Sequence, residues 1–107
     1  DLFTTNIKRL TYGGQFKAGN GAILKVNQIG GLGDAWEFIE TAHKLKYLLV
    51  TSHRSGDLPE GHISHLALAS DSKLIKAGVV GGERIAKANE LIRMGEQIKK
   101  VQRLMDD

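Results

Sequence analysis

Three short apolar runs, at residues 22–26, 47–52 and 74–77, begin 25 and 27 residues apart, and that spacing constrains this chain more than any other feature. Each run is too short for a helix, and each ends near glycine or polar loop residues, as buried strands do. A hairpin would return within a few residues, whereas a strand, a loop and a crossover helix need about this length, so the strands are expected to be parallel. A parallel sheet of three strands has two raw edges and apolar faces that require cover. The simplest completion is a larger βα array, either an eight-stranded barrel or an open doubly wound sheet, of which these residues form the terminal part. The opening Asp1-Leu2-Phe3-Thr4-Thr5-Asn6, with no initiator methionine, reads as the middle of a longer chain.

The segments between the runs have helical periodicity. Asp34 is placed to cap a helix over residues 35–43, with Trp36, Ile39 and His43 on one stripe. A second helix follows Pro59, carries Ile63, Leu66 and Ala67, and ends near residues 70–72. After Gly81-Gly82 a long helix is marked by Ile85, Ala88, Leu91, Ile92, Ile98, Val101 and Met105. Near the start, Thr5 or Asn6 can cap a helix beginning at Ile7, although Gly13-Gly14 disfavour its continuation.

Composition narrows the function classes. With 107 residues, 41% hydrophobic and 25% charged, the chain resembles one small globular domain. No apolar run approaches the roughly 20 residues of a membrane span. A net charge of +3 is too small and dispersed to argue for nucleic acid. The lack of cysteine excludes disulfides and thiolate metal sites and fits a reducing, cytoplasmic compartment. Gly30-Gly31-Leu32-Gly33 lacks the third glycine and the acidic partner of a dinucleotide fingerprint. His62 and His65 belong to no zinc motif, and the basic end Lys99, Lys100 and Arg103 fits a solvated helix face.

In a βα array the ligand site lies at the carboxy ends of the strands, so polar residues that interrupt the apolar runs there are informative. Lys25 interrupts the first run, the second runs out into Ser52-His53-Arg54-Ser55-Gly56, and the third ends with Lys76. Asn27-Gln28 supply amides beside Lys25. Any one of these fits a snorkelling lysine or a solvated turn. At three successive strand ends they point to an anionic, phosphorylated and carboxylated ligand held by charge-assisted hydrogen bonds. A lysine in such company can serve as a general base.

The strings Lys25-Val26-Asn27-Gln28-Ile29-Gly30, Ser52-His53-Arg54-Ser55-Gly56 and Ile75-Lys76-Ala77-Gly78, with Glu83-Arg84-Ile85-Ala86-Lys87-Ala88-Asn89-Glu90-Leu91-Ile92-Arg93, resemble the carboxy-terminal part of the enolases, the phosphopyruvate hydratases. The resemblance implies an α/β fold: the terminal βα units of an enolase-type (β/α)8 TIM barrel, with three parallel strands alternating with helices over residues 1–107 of a longer parent. It makes Lys25 the base that removes the carbon-2 proton of 2-phosphoglycerate on the way to phosphoenolpyruvate. His53, Arg54 and Ser55 fall on the substrate loop, Arg54 and Ser55 on the phosphate, and Lys76 near the substrate carboxylate. The resemblance further implies Mg2+ as cofactor, with a ligand just upstream of Asp1 and none in this chain. A homodimeric or larger parent is expected, and no activity for these residues alone.

The chain departs from the family at Asp57-Leu58-Pro59-Glu60-Gly61, Ser64-His65-Leu66 and Ala77-Gly78-Val79-Val80-Gly81-Gly82. The alternative is therefore a divergent enolase-like binding or structural module without turnover.

Overall fold

A computed structural model describes residues 1–53, 61–78 and 81–106. The elements run α1 (Ile7–Gln15), β1 (Gly21–Leu24), a 3-10 turn (Val26–Gln28), α2 (Leu32–Lys44), β2 (Leu48–Ser52), α3 (His62–Ala69), β3 (Leu74–Lys76) and α4 (Gly82–Asp106). The strands form one parallel sheet in the order β1-β2-β3. Ala22 is opposite Leu49, Leu24 opposite Thr51, Val50 opposite Leu74, and Ser52 opposite Lys76. The expected first strand stops two residues early, because the chain turns into the 3-10 turn directly after Lys25.

Side chains alternate across a strand, so this register sorts the sheet into two unlike faces. Ala22, Leu24, Leu49 and Thr51 are buried on one face, where α2 contributes Phe38, Ile39 and Ala42. Leu66 of α3 packs against the same core. The opposite face carries Ile23 and Val50, only half-buried, with Leu48 and Leu74 at 43% and 59% exposure. The strands advance one step at a time in sequence order, and α2 and α3 both pack on the side of the buried core. Each half of an open doubly wound sheet also keeps its helices on one side, so this three-strand geometry fits either completion.

The stripe expected on α2 is corrected by the structure. Its buried positions are Ala35, Phe38, Ile39 and Ala42, while Trp36 is 43% exposed and His43 lies at the surface. The N-cap is Gly31, with no side-chain cap; Asp34 sits in the first turn, where its charge complements the helix dipole. His43 instead bonds the Ser70 carbonyl through Nε2 at 2.9 Å, fastening α2 to the end of α3. On α4 the buried positions include Lys87 and Met94, whereas Ile85, Ile92, Ile98, Val101 and Met105 are exposed. At 25 residues α4 is roughly 37 Å long, far longer than its neighbour α3.

α1 does continue through Gly13-Gly14. Its N-cap is Asn6, whose Oδ1 accepts from the Arg9 N–H at 3.1 Å. A Cβ at position 13 would lie 2.4 Å from the Phe3 ring, so glycine here allows that ring to seat directly on the helix backbone. Phe3 also tilts against Tyr47 with ring centroids 6.0 Å apart, completing the core under α1 and α2.

The first three helices stop in the same way. Lys17, Lys46 and Asp71 adopt left-handed φ of 52°, 57° and 49° just past the caps Phe16, Leu45 and Ser70. Around Lys46, the Tyr47 N–H donates to the Ala42 carbonyl and the Lys46 N–H to His43, both at 2.9 Å; the pairs Ala18 to Gly13 and Ser72 to Ala67 repeat the pattern. These are Schellman stops without their usual glycine. A left-handed residue with a side chain is strained, so Lys46→Gly is expected to stabilise the fold by about 0.5–1 kcal/mol, seen as a higher denaturant midpoint at unchanged slope.

Candidate site at the strand mouths

Lys25 follows β1 in extended conformation, with φ −126° and ψ 96°. Leu24 is opposite Thr51, and Ser52 is opposite Lys76, so Lys25, Ser52 and Lys76 occupy one level at the carboxy ends of three neighbouring strands. They share the incompletely covered face with Ile23 and Val50, on the side a closed barrel turns inward. Ser52 is buried at 5% exposure, and Lys76 is exposed. The structure thus brings together two of the lysines singled out in the sequence. Arg54 and Ser55 lie outside the described residues.

Both ends of Lys25 are held. Its Nζ pairs with Asp1 Oδ2 at 2.5 Å, and its side chain is 17% exposed against 52% for Asp1. Its backbone N–H donates to Thr5 Oγ1 at 2.9 Å. The expected lysine partner is therefore a carboxylate on the opening turn of the chain. The family resemblance makes Asp1 only a neighbour of an expected metal ligand. Exposed pairs of this kind add little stability, so the geometry matters more for where the ammonium sits than for how firmly the chain folds.

A cleft of about 340 Å3 opens at the exits of the first two strands, lined among others by Val26, Asn27, Ser52, His53, His62 and Leu66, with neither Lys25 nor Lys76 in its lining. That is within the roughly 300–1,000 Å3 of small-molecule sites. His53 Nε2 bonds the Ala77 carbonyl at 3.0 Å, linking the exit of β2 to the exit of β3. His62, which belongs to no zinc motif in the sequence, lines this cleft from the first turn of α3. Nothing in its spacing in the sequence marks it. His65 bonds Glu90 at 2.7 Å and joins α3 to α4.

Among the described residues no group of three or more His, Cys, Asp or Glu side chains comes together to hold a metal ion. Asp1, the carboxylate at the Lys25 ammonium, is already paired with it. At the opposite end of the sheet, ahead of β3, the Lys73 ammonium hydrogen-bonds Asp71 and holds that exposed carboxyl below the usual carboxylate range. That pair lies away from the cleft and marks no site.

A sheet with helices on one side, and with basic and hydroxyl groups at the strand exits, is the arrangement of a βα array, a class in which ligands bind at the carboxy ends of the strands. Comparison with known proteins narrows the class. The model of the enolase C-terminal TIM barrel domain matches residues 1–105, and the chain belongs to the enolase family. It is similar to the enolase of Haloarcula marismortui, 53% identical over 94 residues that make up 88% of this chain and 23% of that protein. It is also similar to the enolase of Methanosphaera stadtmanae, 49% identical over 98 residues, 92% of this chain and 24% of the relative. The enolase of Halobacterium salinarum is 50% identical over 97 residues. The chain spans about a quarter of the length of these curated relatives.

No helix among the described residues is long and apolar enough to cross a membrane. If Asp1 is what fixes the Lys25 ammonium, Asp1→Ala in a full-length enolase carrying this segment is expected to speed acylation of Lys25 by an anhydride reagent several-fold. Peptide mass spectrometry reads the site, and labelling unchanged from wild type would refute the restraint.

Proposed function

We propose that this segment works within a whole enolase, where it supplies the general base and part of the anion site for dehydration of 2-phosphoglycerate to phosphoenolpyruvate. The observation that carries the reading is the placement of Lys25 and Lys76 at one level of the strand mouths, with Lys25 held at both its N–H and its ammonium.

In this reading Lys25 Nζ takes the carbon-2 proton, and the electron pair left behind is delocalised into the substrate carboxylate. The ammonium so formed is the state that Asp1 pairs with, so the charge created on the enzyme meets a partner already in position. Lys76 faces the negative charge that builds on the carboxylate. Arg54 and Ser55 hold the phosphate through charge-assisted hydrogen bonds, and His53 completes that loop. Expulsion of the carbon-3 hydroxyl then yields the enol phosphate.

The Mg2+ implied by the family resemblance does not fit the residues described, which assemble no cluster of three ligands. Its ligands are assigned to the part of a whole enolase that precedes Asp1, and none of the steps above is routed through it. The parent is taken to be a cytoplasmic homo-oligomer, and the residues of this chain alone to be inactive, because the acid that assists loss of the hydroxyl is not among them.

Replacing Lys25 by Ala in the full-length protein is expected to abolish exchange of the carbon-2 hydrogen of 2-phosphoglycerate with D2O, followed by NMR. Binding of the phosphorylated acid should remain within about tenfold, since a single contact to an anion is worth on the order of 1.4 kcal/mol. Exchange at the wild-type rate would overturn the assignment. Binding without exchange in the unmodified protein would instead favour the module without turnover.

A further inference from the structure

Thr5 is fully buried, and its backbone is left-handed at φ 52°, next to Thr4 at φ 48°. β-Branched residues avoid that region, and two in succession persist only where their surroundings impose them. The turn is imposed from several directions. Thr4 N–H donates to the Asp1 carbonyl at 3.2 Å, Asn6 N–H to the Phe3 carbonyl at 2.9 Å, and Arg9 Nη1 to Thr4 Oγ1 at 3.1 Å.

The strained turn delivers one hydroxyl to the edge of β1. Thr5 Oγ1 accepts from the Lys25 N–H at 2.9 Å and lies 3.3 Å from the Ile23 carbonyl, with Gln28 Oε1 at 3.1 Å sharing its proton. In a parallel ladder one residue of the neighbouring strand takes the N–H of residue i+1 and gives its own N–H to the carbonyl of residue i−1. The Thr5 hydroxyl reproduces both bonds, to 25 and to 23, as if it were a backbone unit of an adjacent strand. The same turn provides Asp1 for the Lys25 ammonium.

We infer that Thr5 is a positioning residue for Lys25: its hydroxyl replaces a strand partner at the end of β1 and fixes the main chain from which the base projects, while Asp1 on the same turn fixes the amine. This rests on the reading of Lys25 as the base. A base displaced by even an ångström loses rate without losing substrate affinity, so the effect belongs in kcat. Gln28, held by the same hydroxyl, ties the 3-10 turn after Lys25 into the arrangement.

The test uses a full-length enolase carrying this segment, with 2-phosphoglycerate as substrate. Thr5→Val keeps the shape and removes the hydroxyl; kcat is expected to fall about ten- to hundredfold with KM within about twofold. The deuterium isotope effect on kcat for carbon-2-deuterated substrate should rise as proton removal becomes limiting. Thr5→Ser, which restores the hydroxyl, should recover kcat to within about threefold of wild type. If Thr5→Val does not fold, Thr5→Cys, with a weak acceptor of similar size, is read in the same way. A kcat within about twofold of wild type in the hydroxyl-less variant, or a loss that serine does not repair, overturns the inference. Lys25→Ala, measured alongside, separates the two readings. If it abolishes exchange while the hydroxyl-less variant is fully active, only the role of Thr5 fails; if it retains exchange, the base assignment beneath both fails.

Discussion

Parallel pairing of β1, β2 and β3 is the constraint on which everything else depends. It forces each connection to run the length of the sheet, which makes room for α2 and for the segment that contains α3. It also places every strand's carboxy end at one edge, so groups 24 or more residues apart in sequence, such as Lys25, Ser52 and Lys76, arrive at one level. With the strands added in sequence order, the helices cover one face and the other stays only partly covered. An antiparallel arrangement of the same runs would scatter those groups over two edges.

Much of this was legible in the sequence because it depends on periodicity. The three strands, the parallel pairing and four helices follow from run length, spacing and apolar recurrence. What failed depends on local chemistry that periodicity does not encode. Asp34 looked like a cap, yet the helix begins at Gly31 and Asp34 falls in its first turn. Trp36 looked like core by spacing, but Ala35, Phe38, Ile39 and Ala42 already fill the groove above β1 and β2. The ends of α2 and α3 fall close to where the spacing places them, but the left-handed conformations at Lys17, Lys46 and Asp71 have no sequence signal because the residues are not glycine. On α4 the apolar stripe was real in sequence but remains exposed in the described structure, which is the expected state of a face whose partner belongs to other barrel elements.

The site was legible to a different degree. Lys25 and Lys76 stood out because a charge late in a buried strand needs a reason, and the register places them together. Asp1 and Thr5 did not stand out, since a carboxylate and a hydroxyl in an opening turn are common in any chain. Their roles come from a backbone conformation that no propensity for threonine would suggest. The departures from the family at Ser64 and His65 acquire a structural account as well. Ser64 Oγ donates to the Lys87 carbonyl at 2.7 Å and His65 bonds Glu90, so both serve the joint between α3 and α4 rather than the cleft.

Position 5 is pulled in two directions. Its backbone conformation is the one that glycine and asparagine adopt most cheaply, whereas its contact with β1 requires a hydroxyl. Glycine or asparagine there would relieve the backbone but leave the Lys25 N–H without its buried partner. The local strain records a conflict between folding and placement that a sequence optimised for only one of them would not keep.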